Sequence, residues 1–538
     1  MLNQVIDFLG DWNPQLFREA KGRLTPPGLF IASIVSIVGQ FLIGFCYFAA
    51  LPDKFSKYNR YCQGNCSLPL KINWSLFWLD IFVGLSVITI SLLLISGVYL
   101  LIQDLAKEEK NGTLNFIRFS PQSHSKILLG KLLGVPILIY WMVILAIPLQ
   151  LIAGLAAGIP LSLLVTFDIV VAFNCFFWYS LALLVGLMGY RGGSLIAWLG
   201  GGVVSLYLLI WGSTSLSRYS SPSGSFLDWL SLFSPFQILP YLAAATGIND
   251  LGYLTITKLD QLSWYEFSLW QNLYLGIAVY VANLVFASYW VWFGLKRRFH
   301  NPEGRIINKQ HSYWFSTTVM AIAFGFSLQT LNTNELLSNF YLILSLHLVI
   351  GLVLIFNLTP TRETLQTWSR YRHQQTHNSL SEDLVFGEYS PAIASLGINF
   401  IISGVIMMPG IILLFGDNRL IAVISLLFQS GLLFIYAVVT QLILLRRNRK
   451  RQLWANSILV SLIFLLPLGL GLLGFSPDYF PELWLFVPLP IYALEQMKSI
   501  IQFGLAVFGQ VLIMSLGTTL LTKQLRKLGE SETKALIG

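Results

Sequence analysis

The sequence predicts an all-α polytopic membrane protein with about twelve transmembrane helices. Three observations point there. Of 538 residues, 55% are AVILMFWYC, and only 11% are charged, against about 25% in an ordinary soluble domain. The mean hydropathy is +0.68. The apolar residues gather in runs, and a helix needs roughly 20 such residues to cross a bilayer. A soluble core has no use for this much apolar surface, and too few polar residues remain to cover one. A soluble enzyme, a disordered chain, a collagen and a disulfide scaffold are excluded on these grounds.

Twelve runs are long enough. The first half of the chain has 28–50, 74–102, 127–149, 160–189, 194–213 and 268–295. The second half has 314–332, 338–358, 393–415, 419–445, 456–475 and 501–522. Residues 214–267 are broken by Ser, Pro and Gly. They read as re-entrant or interfacial helices around Ser234-Pro235-Phe236 and Leu239-Pro240-Tyr241. The start of the chain carries Asp7 and Asp11 and has no short apolar core after a basic stretch, so it does not read as a cleavable signal.

Orientation follows from the loops, because cytoplasmic loops are enriched in Lys and Arg. With the N-terminus inside, 26 of the 34 lysines and arginines fall in inside segments and 8 in outside ones. Both termini are then expected to be cytoplasmic. The dissenting outer cluster is Lys54, Lys57, Arg60 and Lys71. The same topology accounts for the net charge of +9 and for Lys296-Arg297-Arg298 and Arg446-Arg447-Asn448-Arg449-Lys450-Arg451, which directly follow apolar spans. These are membrane-topology signals rather than a nucleic-acid surface, since no aromatic-interleaved basic domain stands elsewhere. Four cysteines make no framework. Cys46 and Cys175 lie in apolar runs as packing residues. Cys62 and Cys66 share an outer polar loop and are a disulfide candidate in an oxidising compartment; whether they are bonded stays open.

The cytoplasmic segments carry the strongest signals. Before the first span, Asn13 suits a helix cap and Pro14 the first helical position. Leu16, Phe17, Ala20 and Leu24 fall on one face, with Arg18, Glu19, Lys21 and Arg23 away from it. This is a short amphipathic helix for the inner interface, either a plain anchor or a lever that passes force to the first span. After the second span come Asp104, Glu108 and Glu109, an acidic patch. Gly112 permits a sharp bend, and Thr113 is placed to cap a new short helix. Leu114, Phe116, Ile117 and Phe119 are large apolar residues on that loop. Ser120-Pro121 ends the helix and is placed to start the next. Apolar side chains beside charges in a water-facing loop mark a docking surface, or else tuck back onto the bundle.

This segment resembles the loop between the second and third spans of ATP-binding-cassette exporter permeases of the second type. The matching residues are Glu109, Lys110, Gly112-Thr113-Leu114, Pro121, Ser123, Ile127 and Gly130-Lys131, with Gln122 splitting the usual Pro-Ser step. The resemblance covers roughly residues 10 to 298. It implies a coupling helix that docks on a separate ATPase subunit, with Glu109, Thr113, Leu114, Phe116 and Phe119 as docking residues. It also implies six spans per half and a re-entrant hairpin before the sixth.

The second half offers a partial echo. Leu384, Tyr389 and Ser390-Pro391 align with Leu114, Phe119 and Ser120-Pro121, and Phe386 falls between them. Phe480-Pro481 and the prolines Pro488 to Pro490 precede the last span, as Pro235 and Pro240 precede the sixth. Two parallel six-helix repeats, 28–298 and 299–538, are expected, preceded by the interface helix within 1–27. One chain then supplies both membrane halves. Without the repeat, the chain forms a homodimer. Chance similarity is the rival, since Gly-Thr-Leu is missing from the second loop.

Polar groups inside spans are costly and are functional candidates. Asp80, Asp168, Asn174 and His347 are the foremost. Asp168 is the carboxylate an ion-coupled transporter would use, and a structural partner such as Asn174 or Tyr179 is the plainer reading. No histidine has metal-ligand spacing, so no metal is expected. No phosphate-cradling Gly-x-x-x-x-Gly-Lys-Ser/Thr loop occurs, and no nucleophile elbow or zinc-protease helix. The chain is therefore expected to carry no ATPase or other catalytic site.

The sequence thus reads as the permease of an ATP-driven exporter in a bacterial inner membrane. Its partner is a cassette ATPase in two copies that binds ATP and Mg, and its own cofactors are none. A lipidic or amphipathic substrate suits the many aromatics. The alternatives are an ion-coupled secondary transporter and a non-transporting membrane assembly factor.

Overall fold

The computed structural model describes residues 10–52, 59–62, 71–189, 193–215, 223–248, 262–270, 272–302, 304–328, 333–374, 379–448, 450–497 and 499–530. Among them, β-structure is limited to one hairpin of two-residue strands, Ser263–Trp264 with Phe267–Ser268, and one bridge between Cys62 and Ile72. Eleven described helices are long and apolar enough to cross a membrane. The chain is an all-α polytopic integral membrane protein. Its contacts divide into two compact units. One comprises Met1–Pro222, Leu230–Leu262 and Ser268–Ile306; the other comprises Ser223–Trp229, Ser263–Phe267 and Ile307–Gly538.

The first unit opens with the helix Pro14–Arg23. Asn13 is its N-cap, with its side chain accepting from the Gln15 and Leu16 N–H groups, and Pro14 stands at the first position. Six spans follow: Pro26–Ala49, Trp74–Lys110, Ile137–Ala156, Leu161–Gly189, Ser194–Ser215 and Leu273–His300. The second runs past its expected end and carries Asp104, Glu108 and Glu109 out on a continuous helix. The third is shorter than the apolar run suggests. Pro136 interrupts it, leaving a separate lead-in helix, His124–Gly134, before Ile137. Before the sixth span this unit has the short helical pieces Pro235–Ile238 and Leu239–Ala244, within the broken 214–267 segment where such pieces were expected.

The second unit has the same order of parts. Lys309–Phe326 is its first helix. At 18 residues, with Lys309, His311 and Ser312 in its first turn, it falls outside the eleven. It begins earlier than the expected 314–332 because Asn308 caps it. Leu336–Leu358, Ile393–Leu414, Arg419–Leu444, Arg451–Leu472 and Ile500–Gly529 complete the spans. Short helices again follow the second helix (Arg362–Gln374 and Leu380–Phe386) and precede the sixth (Pro481–Trp484 and Ile491–Glu495).

The packing plan is shared as well. In each unit the first helix packs on the third, the second on the fourth and the fourth on the sixth. Polar side chains fasten equivalent pairs. First to third, Ser36 and Gln40 donate to the Met142 and Leu145 carbonyls in one unit, and Ser316 donates to Asn399 in the other. Fourth to sixth, Asn174 pairs with Tyr280, and Gln510 donates to the Phe428 carbonyl. Inside a membrane such bonds add to packing, because apolar contact alone does not favour helix over lipid.

The second span contains a five-residue π-helical segment, Leu92–Ser96. Such bulges free backbone carbonyls that need partners. Tyr179 of the fourth span donates its hydroxyl to the Leu93 carbonyl at 2.8 Å. Its ring lies where a Cβ on Gly97 would stand, 2.3 Å away. Gly97→Ala is therefore expected to destabilise the first unit by about 1–3 kcal/mol through overpacking, measured as a lowered midpoint of thermal unfolding in detergent.

Candidate functional site

The residues with the most elaborate arrangement gather at one end of the first unit, where the second span leaves and the third begins. Lys131 on the lead-in helix is fully buried. Its ammonium lies 2.7 Å from Asp104 Oδ2, 2.7 Å from Glu108 Oε2 and 3.6 Å from Glu19 Oε1. Two arginines close the ring from outside. Arg23 Nη2 is 2.7 Å from Asp104 Oδ1, and Arg18 Nη2 is 2.6 Å from Glu108 Oε1. Both also reach Glu19, at 3.4 and 3.2 Å. Three acids and three bases thus alternate, and their formal charges cancel.

Three carboxylates this close have the geometry of a metal cage, but the cation among them is the lysine's own ammonium. Burial alone would lower the Lys131 pKa. Asp104, Glu108 and Glu19 outweigh it and raise the value above the ordinary one. The ammonium form is the stabilised one.

Glycines bring the two helices into contact. A Cβ on Gly130 would stand 2.8 Å from the Leu16 backbone N and from Asn13 Oδ1, and one on Gly134 would stand 2.5 Å from Glu19 Cβ. Asn13 also donates to the Lys126 carbonyl at 2.7 Å. The Gly130-Lys131 pair of the sequence motif therefore has a local physical cause. The glycine admits the N-terminal helix, and the lysine locks it. Two expectations change here. Glu19 is buried against Lys131 rather than turned away from the packed face. The helix rests its Leu16 and Ala20 side on the protein itself, so it is more than a surface anchor. Gly130→Val is expected to displace this helix, since backbone cannot yield as a side chain does. A maleimide-reactive cysteine at Ala20 should be protected in the parent and exposed in the Gly130→Val background.

Beyond Lys110 the chain bends at Gly112 (φ 72°), as expected of glycine there. The helix Thr113–Arg118 follows. Thr113 does not cap it. Its hydroxyl donates back to the Glu108 carbonyl at 3.1 Å, closing the preceding helix. Glu109 faces Arg118 at 3.8 Å. The four apolar residues divide. Leu114 is 1% exposed and Ile117 5%, whereas Phe116 is 83% exposed and Phe119 88%. Leu114 is thus packing rather than docking surface. Pro121 stands in an open turn, and Ser123, not Pro121, begins the next helix as its N-cap, accepting from the Lys126 N–H at 3.4 Å.

In the second unit the helix Leu380–Phe386 is also held by a fully buried lysine. Lys309 Nζ donates to the Leu384 carbonyl at 2.8 Å, Ser390 Oγ at 2.6 Å and the Pro391 carbonyl at 3.0 Å. Tyr313 adds a bond to the Val385 carbonyl at 2.7 Å. Leu384 is half-buried and Pro391 buried, while Phe386 and Tyr389 are exposed. Each unit therefore fixes a short loop helix with a buried lysine and leaves two aromatics in the open.

The span candidates sort differently. Asp80 is buried but satisfied, with Arg60 Nη2 at 3.0 Å and the Tyr61 hydroxyl donating at 2.9 Å. Arg60, one of the dissenting outer cations, is its counter-charge. Burial, reinforced by Asp80, pushes the Tyr61 phenol up. Cys62 beside them is disulfide-bonded, and Cys46 and Cys175 are free thiols; Cys66 lies outside the described residues. Asn174 donates to the Val170 carbonyl and to Tyr280, and Tyr179 to Leu93, so neither serves Asp168. The expected structural partner is not there. Asp168 is half-buried with no hydrogen bond or ion pair among the described residues. His347 is buried, with Nδ1 3.0 Å from Gln429 Oε1. The Gln429 amide donates to the Leu344 and Pro488 carbonyls, so its oxygen accepts and Nδ1 carries the proton. His347 Nε2 has no hydrogen-bond partner among the described residues.

Comparison with protein-family models, with curated proteins and with solved structures finds no match to this chain.

Proposed function

We propose that this chain is the membrane-spanning permease of an ATP-driven exporter. Its motor is a separate cassette ATPase that docks on the exposed aromatics of the short loop helices. One observation carries the reading: Phe116 and Phe119 stand in the open on a helix whose other face is anchored. Burying a phenylalanine is worth about 1.5–3 kcal/mol, and this helix forgoes that twice. The helix continues the second span and lies beside the salt-bridged ring. A push on Phe116 and Phe119 reaches the second span through Gly112. It reaches the third through Asp104, Glu108 and Lys131. Phe386 and Tyr389 offer the corresponding contact in the second unit, so one chain supplies both membrane halves to two ATPase copies. The lysine- and arginine-rich ends face the cytoplasm, and the membrane is a bacterial inner membrane. The substrate class favoured by the aromatic-rich spans is lipidic or amphipathic.

A second reading has its own observation. Asp168 is a half-buried carboxylate within the fourth span, and an ionisable residue inside a span is a functional candidate by default. Flux into vesicles containing the purified chain separates the two. The exporter needs the ATPase and ATP and tolerates Asp168→Asn. Flux driven by an ion gradient alone and abolished by Asp168→Asn would overturn it. Stable association with a larger complex, without any flux, would identify an assembly factor instead.

A further inference from the structure

The second unit holds a feature that the ATPase reading leaves unused. Between Arg419–Leu444 and Arg451–Leu472 the chain turns at 445–448. Beside the turn is a cavity of about 250 Å³ lined by Ile443, Arg446, Asn448, Arg451, Trp454 and Ile458. Its lining combines two isoleucines with two arginines, an asparagine and a tryptophan. The turn is held in place from within the unit, because Arg362 donates to the Leu445 carbonyl at 3.0 Å. The charge is unbalanced. Glu363 pairs with Arg451 Nη2 at 2.6 Å, whereas the Arg446 and Arg447 side chains have neither an ion pair nor a hydrogen bond among the described residues.

Position and size narrow the ligand. The cavity sits at the ends of two membrane-crossing helices, which is the depth of lipid headgroups, where tryptophan also gathers. Basic pockets between spans suit anionic headgroups. A drug-sized ligand needs roughly 300–1,000 Å³, so this cavity takes a headgroup and leaves the rest of the molecule outside. Leu453, Val460 and Phe464, exposed at helical spacing on the next span, offer acyl chains a lane leading away from the rim.

We infer that this cavity binds the phosphate-bearing headgroup of an anionic phospholipid from the adjoining leaflet, with Arg446 on the phosphate and Trp454 beside the glycerol. The site is independent of any motor subunit.

The test is native mass spectrometry of the full chain in detergent, titrated with phosphatidylglycerol, phosphatidylcholine or inorganic phosphate. One phosphatidylglycerol should bind more tightly than phosphatidylcholine, and millimolar phosphate should not displace it. At about 1 kcal/mol for each basic residue near the surface, Arg446→Gln should weaken binding roughly fivefold. Arg446→Lys should retain most of it. Trp454→Leu gives a second variant, also expected to weaken binding, should the first fail to fold. Equal binding of phosphatidylcholine would overturn the inference, as would unchanged affinity in both Arg446→Gln and Trp454→Leu. Displacement by phosphate would assign the cavity to a soluble anion instead.

Discussion

Replacing Lys131 with methionine is expected to destabilise the first unit by about 3–5 kcal/mol, the usual result of removing one partner from a buried ion cluster. The methionine fills similar space, so the loss is electrostatic. Asp104, Glu108 and Glu19 would face one another with only the half-exposed Arg18 and Arg23 to neutralise them. The midpoint of thermal unfolding in detergent reads the effect. Adding Glu19→Gln to Lys131→Met should recover part of the loss, because one of the orphaned carboxylates disappears. A midpoint unchanged by Lys131→Met would show that the ring is ornamental. The pH dependence has a definite sign. The folded pKa of Lys131 is raised, so its contribution is complete below the unfolded value of about 10.4. It is lost only as the pH climbs through the higher folded value. Stability from this lysine should therefore not decline between pH 7 and 10.

The second large effect concerns Phe116 and Phe119. Changing both to aspartate should leave folding and insertion unaltered, since both side chains are exposed and add little to the packing of the chain itself. ATP-driven flux should nevertheless collapse. Aromatic anchors at interface centres are each worth 2 kcal/mol or more, or about thirtyfold in affinity. Losing two abolishes productive docking at ordinary concentrations. Leu114→Asp is the contrasting case. It buries a carboxylate at a position 1% exposed and should lower the unfolding midpoint before any partner is considered. Separating these two phenotypes requires the structure, because all four apolar residues of this loop look alike in the sequence.

The spans were legible because hydropathy over twenty residues is a local property. Misplaced ends have local causes too, such as Pro136 cutting the third run and Asn308 starting the seventh helix early. The salt-bridged ring was not legible. Asp104 and Glu108 stand four residues apart on one helix face, and Gly130-Lys131 was visible as a motif. Nothing in the chain announces that Arg23 meets Asp104 across 81 positions, or that Glu19 turns inward. Amphipathic reasoning places a charged residue in water, and a buried countercharge overrides it. Asp80 hides its partner in the same way, because Arg60 reads as a topology exception until the two are seen at 3.0 Å.

The central claim is that the exposed aromatics of Thr113–Arg118 and its C-terminal neighbour are covered by a nucleotide-hydrolysing partner. A photoreactive phenylalanine analogue at position 119, irradiated in the native membrane, tests this most directly. A covalent product with a cassette ATPase from position 119, absent when the probe replaces buried Leu114, is the predicted result. Products confined to the chain itself or to lipid would contradict the account.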